Sequence, residues 1–221
     1  MIPVQFRSAD VRDAGRVAEL HADSWRRHYR GAYSDAFLDG DVVADRRTVW
    51  SARLAAPAGT ATVLAERDGR LVGFVHVVLG DHPRWGSLVD NLHVAHDARR
   101  GGIGSQLLAR GARAVKSGGV YLWVLRQNTA ARAFYSACGA RCVEEAPVSA
   151  PGGDPARLNG NPVKLRLAWP DASALLDPVT GPGRRRIVER TPDEPVVPER
   201  AGDPEPGRRQ RGHAPEATPT C

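Results

Sequence analysis

Residues 88–108 read LVDNLHVAHDARRGGIGSQLL, and no other stretch narrows the folds open to this chain as far. An apolar strand pattern runs into a glycine-rich turn, and the turn opens an amphipathic helix. Gly101, Gly102 and Gly104 lack a Cβ, so the chain can turn tightly and bring successive backbone N–H groups close to a phosphate. The helix that follows carries Ile103, Leu107, Leu108, Ala112 and Val115 on one stripe. Burying that stripe leaves the N-terminal N–H groups and the positive end of the helix dipole facing a ligand. Arg99 and Arg100 add fixed positive charge at the mouth. A diphosphate is the ligand these features describe, although a glycine cluster by itself also marks an ordinary turn.

Spacing narrows the choice of diphosphate. A dinucleotide fold wants GxGxxG and a nucleoside triphosphatase wants GxxxxGK followed by Ser or Thr; neither is present, and the loop has no lysine. What stands here is Val94, four residues, then Arg99, Arg100, Gly101, Gly102, Ile103 and Gly104. This resembles the acetyl-CoA loop of the GNAT superfamily of N-acetyltransferases, an Arg or Gln followed by xxGxG or xxGxA directly after a strand. Arg99, Gly102 and Gly104 match it. Two departures are visible, His96 where many relatives carry proline and Arg100 where many carry glycine.

Two further segments extend the resemblance. Residues 120–125, VYLWVL, form an apolar run rich in β-formers, and a polar break at 126–128 leads into a short helix over 129–137 that closes near Gly139. GNAT chains carry an Asn at the start of this helix and a Phe-Tyr pair near its end, positions held here by Asn128, Phe134 and Tyr135. Near the N-terminus, residues 20–40 (LHADSWRRHYRGAYSDAFLDG) look like the substrate-side helices of one GNAT subgroup. Ser24, Trp25, Arg26, Tyr29, Arg30, Gly31 and Trp50 fit that pattern, and the likeness covers nearly all of residues 1–170. Packing alone would also account for these aromatics.

Composition sets outer limits. No apolar run approaches the roughly 20 residues of a membrane span, and the first residues lack the apolar core of a signal peptide, so a cytoplasmic location is expected. Cys138, Cys142 and Cys221 are an odd set without paired ligand spacing and are expected as reduced thiols; with the histidines scattered, no metal site is expected. The formal charge of +6 resides in residues 1–170, since the remainder is near neutral. A basic domain suits a polyanionic cofactor. Arginine outnumbers lysine 29 to 2, which is read as genomic composition bias and not as a nucleic-acid signal. From Pro170 onward there are ten prolines and no sustained period, so residues 171–221 are expected as a disordered Pro/Arg-rich tail behind one domain, 1–170.

The resemblance implies an α/β (α+β) fold: a mixed, mostly antiparallel sheet of about seven strands, flanked by helices and splayed between strands four and five, where the pantetheine arm lies. Strands are expected over 5–8, 62–67, 71–79, 88–94, 120–125, 140–144 and 163–169, with a helix over 10–29 and an Asp68-Gly69 hairpin turn. The implied activity is transfer of an acetyl group from acetyl-CoA to a primary amine of a small molecule or peptide; the alternative is an inactive acyl-CoA sensor. Cofactor contacts are expected from Leu92, His93, Val94, Arg99, Arg100, Gly101, Gly102, Ile103, Gly104, Ser105 and Asn128. The backbone N–H of Leu92 or His93 would polarise the thioester carbonyl. Tyr135, by resemblance, returns a proton to the CoA sulfur. For the base, many relatives have a Glu six residues before the valine, where this chain has Leu88. Asp90 shares its strand face and is the first choice, with His93, His21, His28 and Tyr29 as alternatives. Trp25 and Tyr29 are expected to meet the substrate, and Asp35, Asp39 and Asp41 would suit a cationic amine. Neither nucleic acid nor membrane is an expected partner, and a homodimer is left open.

Overall fold

The computed structural model describes residues 3–176. Seven strands form one sheet in the order β1-β2-β3-β4-β5-β7-β6: β1 Gln5–Ser8, β2 Thr60–Arg67, β3 Arg70–His82, β4 Gly86–Val94, β5 Val120–Leu125, β6 Arg141–Pro147 and β7 Val163–Trp169. Every neighbouring pair is antiparallel except β4 and β5, which run parallel. The helices are α1 Ala14–His28, α2 Asp35–Asp39, α3 Val42–Ala55, α4 Ile103–Ala112 and α5 Thr129–Ala137.

The expected β1, β5, β7 and α5 stand within their expected bounds. β3 extends three residues past Leu79, the stretch between α1 and β2 holds two helices, α2 and α3, and the first helix begins at Ala14 after a single 3-10 turn, Val11–Asp13. Asp10 and Asp13 form a capping box on that turn. Val11 is 57% exposed because it lies in the turn ahead of α1. Asp68 and Gly69 both have positive φ (53° and 70°), the geometry of the tight hairpin expected between β2 and β3.

Two helix layers cover the sheet. The stripe Ile103, Leu107, Leu108 and Ala112 of α4 packs with Val75, Val77, Val120, Leu122, Leu165 and Trp169 in the main core. Glycine sets the depth of that packing: a Cβ on Gly73 of β3 would meet Leu107 Cδ1 at 2.9 Å, and one on Gly111 of α4 would meet Val77 at 3.0 Å. α1 and α3 pack Val17, Ala18, Trp50 and Leu54 against Leu64 and Phe74 in a second cluster.

The packed chain also continues beyond the expected boundary at 170. A 3-10 turn, Ala172–Leu175, buries Ala172 and Leu175 in the main core. These apolar residues sit in a proline-rich context without helical period, which is why the pattern did not show them. The rest of the expected tail, 177–221, lies outside the described residues. Cys138 carries a free thiol, whereas Cys142 is disulfide-bonded and departs from the expectation of a reduced thiol. No helix among the described residues is long and apolar enough to cross a membrane.

Candidate active site

The parallel pair β4 and β5 is joined at only two register positions, Ser87↔Val120 and Leu88↔Tyr121. Beyond them the strands part. A cleft of about 1610 Å³ fills the gap, walled by the end of β4, the loop before α4, the first turn of α4, and α5.

The β4 wall presents alternating backbone groups. Ala95 N–H donates to Val72 O at 2.9 Å, so the pairs in step with it, Phe74↔His93 and His76↔Asn91, are the hydrogen-bonded ones. His93 and Asn91 therefore spend their backbone groups on β3. Leu92 and Val94 point theirs into the gap. Of the two expected polarising donors, the alternation leaves Leu92; His93 contributes its side chain to the wall instead.

A bulge positions Asp90. His76 pairs with Asn91 and Val77 with Val89, which leaves Asp90 as the extra residue on β4. It lines the cleft, pairs with Arg53 at 2.7 Å and accepts from Asn91 Nδ2 at 2.6 Å.

The loop has the geometry of an anion cradle. Gly102, at φ 73°, caps α4 with no side-chain acceptor, so the first-turn N–H groups of the helix are left for a ligand. Gly102, Ile103, Gly104 and Ser105 line the cleft, with Arg99 and Arg100 beside them. Arg100 itself has φ 64°, in the region that favours glycine. Gly104 is needed for close approach, since a Cβ there would meet the Phe134 ring at 3.3 Å. Gly101 does not reach the cleft wall; its expected contact is displaced to its neighbours by the left-handed turn at Arg100 and Gly102. Arg99 touches the His28 ring at the end of α1, and burial, with Arg99, holds that imidazole below its ordinary pKa.

Asn128 lines the cleft and caps α5, its Oδ1 accepting from Ala131 N–H at 3.1 Å; its amide NH2 is the part left for a ligand. Tyr135, on the last turn of α5, is 9% exposed and lines the cleft. Burial, reinforced by Tyr29, pushes its phenol well above the ordinary tyrosine range. Tyr29 is pushed up to about 12 by burial and by the Asp90 carboxylate. Both phenols are therefore protonated at neutral pH.

Some expected site residues stand elsewhere. Trp25 is buried and absent from the cleft wall; it stacks on Tyr29 at 5.3 Å and carries Arg46 over its ring at 4.2 Å. Its position on the inner face of α1 makes it a support for Tyr29. Asp35 and Asp39 are spent on Arg30, and Asp41 does not line the cleft. His21 is sealed in the core, while His93 lines the cleft with Nδ1 bonded to Ser24 Oγ at 2.7 Å. Burial pushes His93 down to about 3. Two features escaped the sequence reading. Arg53, the partner of Asp90, is distant in sequence and carries no local signal. Trp123, also on the wall, could have been found, because alternation along β5 puts it opposite the core residues Leu122 and Val124.

Comparison with known proteins agrees with this geometry. The model of the acetyltransferase (GNAT) family matches residues 17–140. The chain belongs to the GNAT family. It is 26% identical over 177 residues to the uncharacterized N-acetyltransferase YuaI of Bacillus subtilis, covering 78% of this chain and 96% of that one. It is 28% identical over 139 residues to the probable N-acetyltransferase Rv2775 of Mycobacterium tuberculosis, covering 60% and 76%. Among solved structures, PaiA N-acetyltransferase from Thermoplasma acidophilum, in complex with coenzyme A, superposes with a TM-score of 0.58 at 17% identity, covering 76% of this chain and all of that one. As a GNAT protein with N-acetyltransferase relatives, the chain is an acyltransferase.

Proposed function

We propose that this GNAT protein moves an acetyl group from acetyl-CoA directly to a primary amine of a small molecule or peptide. The observation that carries the reading is the parting of β4 and β5 beyond Leu88↔Tyr121, with an uncapped helix start on one wall and a buried, protonated phenol on the other. The residues fit the cofactor: a glycine-bounded turn under a helix N-terminus suits a diphosphate, and free strand edges suit an amide-bearing arm. Bound there, acetyl-CoA supplies the activated acyl group.

The α4 first turn, Arg99 and Arg100 hold the diphosphate. Val94 bonds the pantetheine amide, and the Leu92 N–H faces the thioester oxygen, where negative charge grows during transfer. Asp90 holds the incoming ammonium and accepts its proton, directly or through a water. Arg53 holds that carboxylate in place. Tyr135 gives its phenolic proton to the departing sulfur.

The test is thiol release from acetyl-CoA against a panel of primary amines, with mass spectrometry of the products. Amine-dependent release with one acetyl added per thiol is expected. Tight acetyl-CoA binding with no acetylated product across the panel would overturn the reading in favour of a sensor.

A further inference from the structure

The last residue of α1 and the arginine that opens the glycine-rich loop meet at the cleft. Arg99 Nη2 is in hydrogen-bond contact with His28 Nε2, and both side chains line the cleft wall. A guanidinium can only donate, so His28 accepts at Nε2, keeps its proton on Nδ1 and is neutral. Arg99 makes no ion pair among the described residues. The carboxylates nearby are held by other arginines, Asp23 by Arg27 at 2.9 Å and Asp97 by Arg70 at 2.6 Å. An imidazole thus stands where an anion would be the natural partner of Arg99.

A diphosphate at Arg99 changes what His28 faces. Its oxygens take the guanidinium N–H groups, and Nε2 then meets an acceptor where it had met a donor. A bare Nε2 lone pair repels a phosphate oxygen, whereas a protonated Nε2 donates to it in a charge-assisted bond. His28 is also the C-terminal residue of α1, the end of a helix dipole that favours a cation. The charged and titratable groups facing the ring are Asp23 and Arg27 on α1, His96 and Arg99 from the loop, and His93 on β4. Burial, followed by Arg99, His96 and Arg27, holds the ring below its ordinary pKa, and an anion on Arg99 opposes the second of these causes.

We infer that His28 is a further phosphate ligand: as the cofactor's diphosphate lands on Arg99, the imidazole takes one proton from solvent and donates from Nε2 to a diphosphate oxygen. The inference rests on the reading that Arg99 and the first turn of α4 hold the diphosphate. The cofactor is then held from two sides, by the start of α4 and by the end of α1. Its affinity rises as pH falls, because the bound state takes up a proton that the free state lacks. His28 serves the cofactor on this account and not the amine.

Calorimetric titration with dephospho-CoA is the test, since this probe keeps the diphosphate and lacks the 3′-phosphate, a group that itself titrates near roughly pH 6. Titrations at pH 6.0, 7.0 and 8.0, each in two buffers of different ionisation enthalpy, count the protons bound. Net uptake is expected at pH 6.0 and 7.0, with Kd falling severalfold from pH 8.0 to 6.0 and by no more than about tenfold per pH unit. His28→Gln keeps an acceptor for Arg99 but cannot titrate. It should match the unaltered protein at pH 8.0, take up no proton, and bind severalfold more weakly than the unaltered protein at pH 6.0, while His96→Gln should keep the uptake. Binding without uptake, or uptake that persists in His28→Gln, overturns His28 as a ligand and leaves the transfer reading standing. So does binding of acetyl-CoA without binding of dephospho-CoA. If neither compound binds, the cofactor reading falls and this one with it.

Discussion

The Trp50 indole N–H donates to Nδ1 of His21 at 2.9 Å, and both side chains are buried. An acceptor at Nδ1 fixes His21 as the neutral tautomer with its proton on Nε2. Burial, with His93 and Arg46 nearby, holds its pKa well below the ordinary value. His93 and His76 are likewise pushed down, to about 3 and about 4, chiefly by burial.

Stability should therefore fall with acid earlier than carboxylate titration would predict. Each of these imidazoles takes up a proton near pH 6.5 when unfolded but stays neutral when folded, so its contribution is intact above about pH 6.5 and lost as pH falls toward the folded value. The expected slope is up to about 1.4 kcal/mol per pH unit for each group. Urea unfolding at pH 7.0, 6.0 and 5.0 measures it, and a flat profile over that window would show that the three rings are protonated in the fold. Asp13, held down by its bond to Arg7, adds its own acid loss only below about pH 3.8.

Tyr135→Phe keeps the ring between Phe134 and Trp169 and deletes the hydroxyl. Turnover should fall by roughly 10²-fold or more with acetyl-CoA affinity little changed. Stopped-flow and equilibrium binding separate the two effects. Full activity in the variant would move the acid to a water.

Arg99→Glu combined with Gly102→Val should abolish acetyl-CoA binding by calorimetry. The charge reversal repels the diphosphate, and a branched side chain at φ 73° disfavours the turn that frees the helix N-terminus, at about 1–2 kcal/mol of strain. Gly102 has no neighbour closer than 4.0 Å to an added Cβ, so the fold should survive. Wild-type affinity would remove the loop from the cofactor site.

A chain ended after Asp171 should melt several degrees below one ended after Leu176. The shorter chain loses Ala172 and Leu175 from the core, and a buried leucine contributes roughly 1.5–3 kcal/mol. Coincident melting curves would show that this turn adds nothing.

What could be read in advance follows a physical division. The α5 helix and the strands β5 and β7 were legible because each is a local pattern, a short amphipathic period or an apolar run between polar breaks. So was the turn that opens α4, since the positive φ at Gly102 is a demand of the backbone itself. The bulge at Asp90 was not, because an extra strand residue is defined only against its partner strand. The same holds for the pairing of Asp90 with Arg53 and for the seat of Trp25 under Tyr29, which depend on how α1 and α3 lie over the sheet. Asp35 and Asp39 misled for the opposite reason: their charge was visible and their partner Arg30 was not.

The two register pairs that join β4 to β5 leave most of that boundary without ladder hydrogen bonds. A molecule lying along it supplies the missing rungs, so occupancy and cohesion of the two half-sheets become one thermodynamic quantity. Binding to the folded chain alone adds RT ln(1 + [L]/Kd) to stability, about 2.7 kcal/mol at a hundredfold excess over Kd. A ligand bound there would then be expected to lengthen the lifetime of the folded chain. A cell short of that ligand would hold a looser sheet, with the far ends of β4 and β5 exchanging their amide hydrogens first.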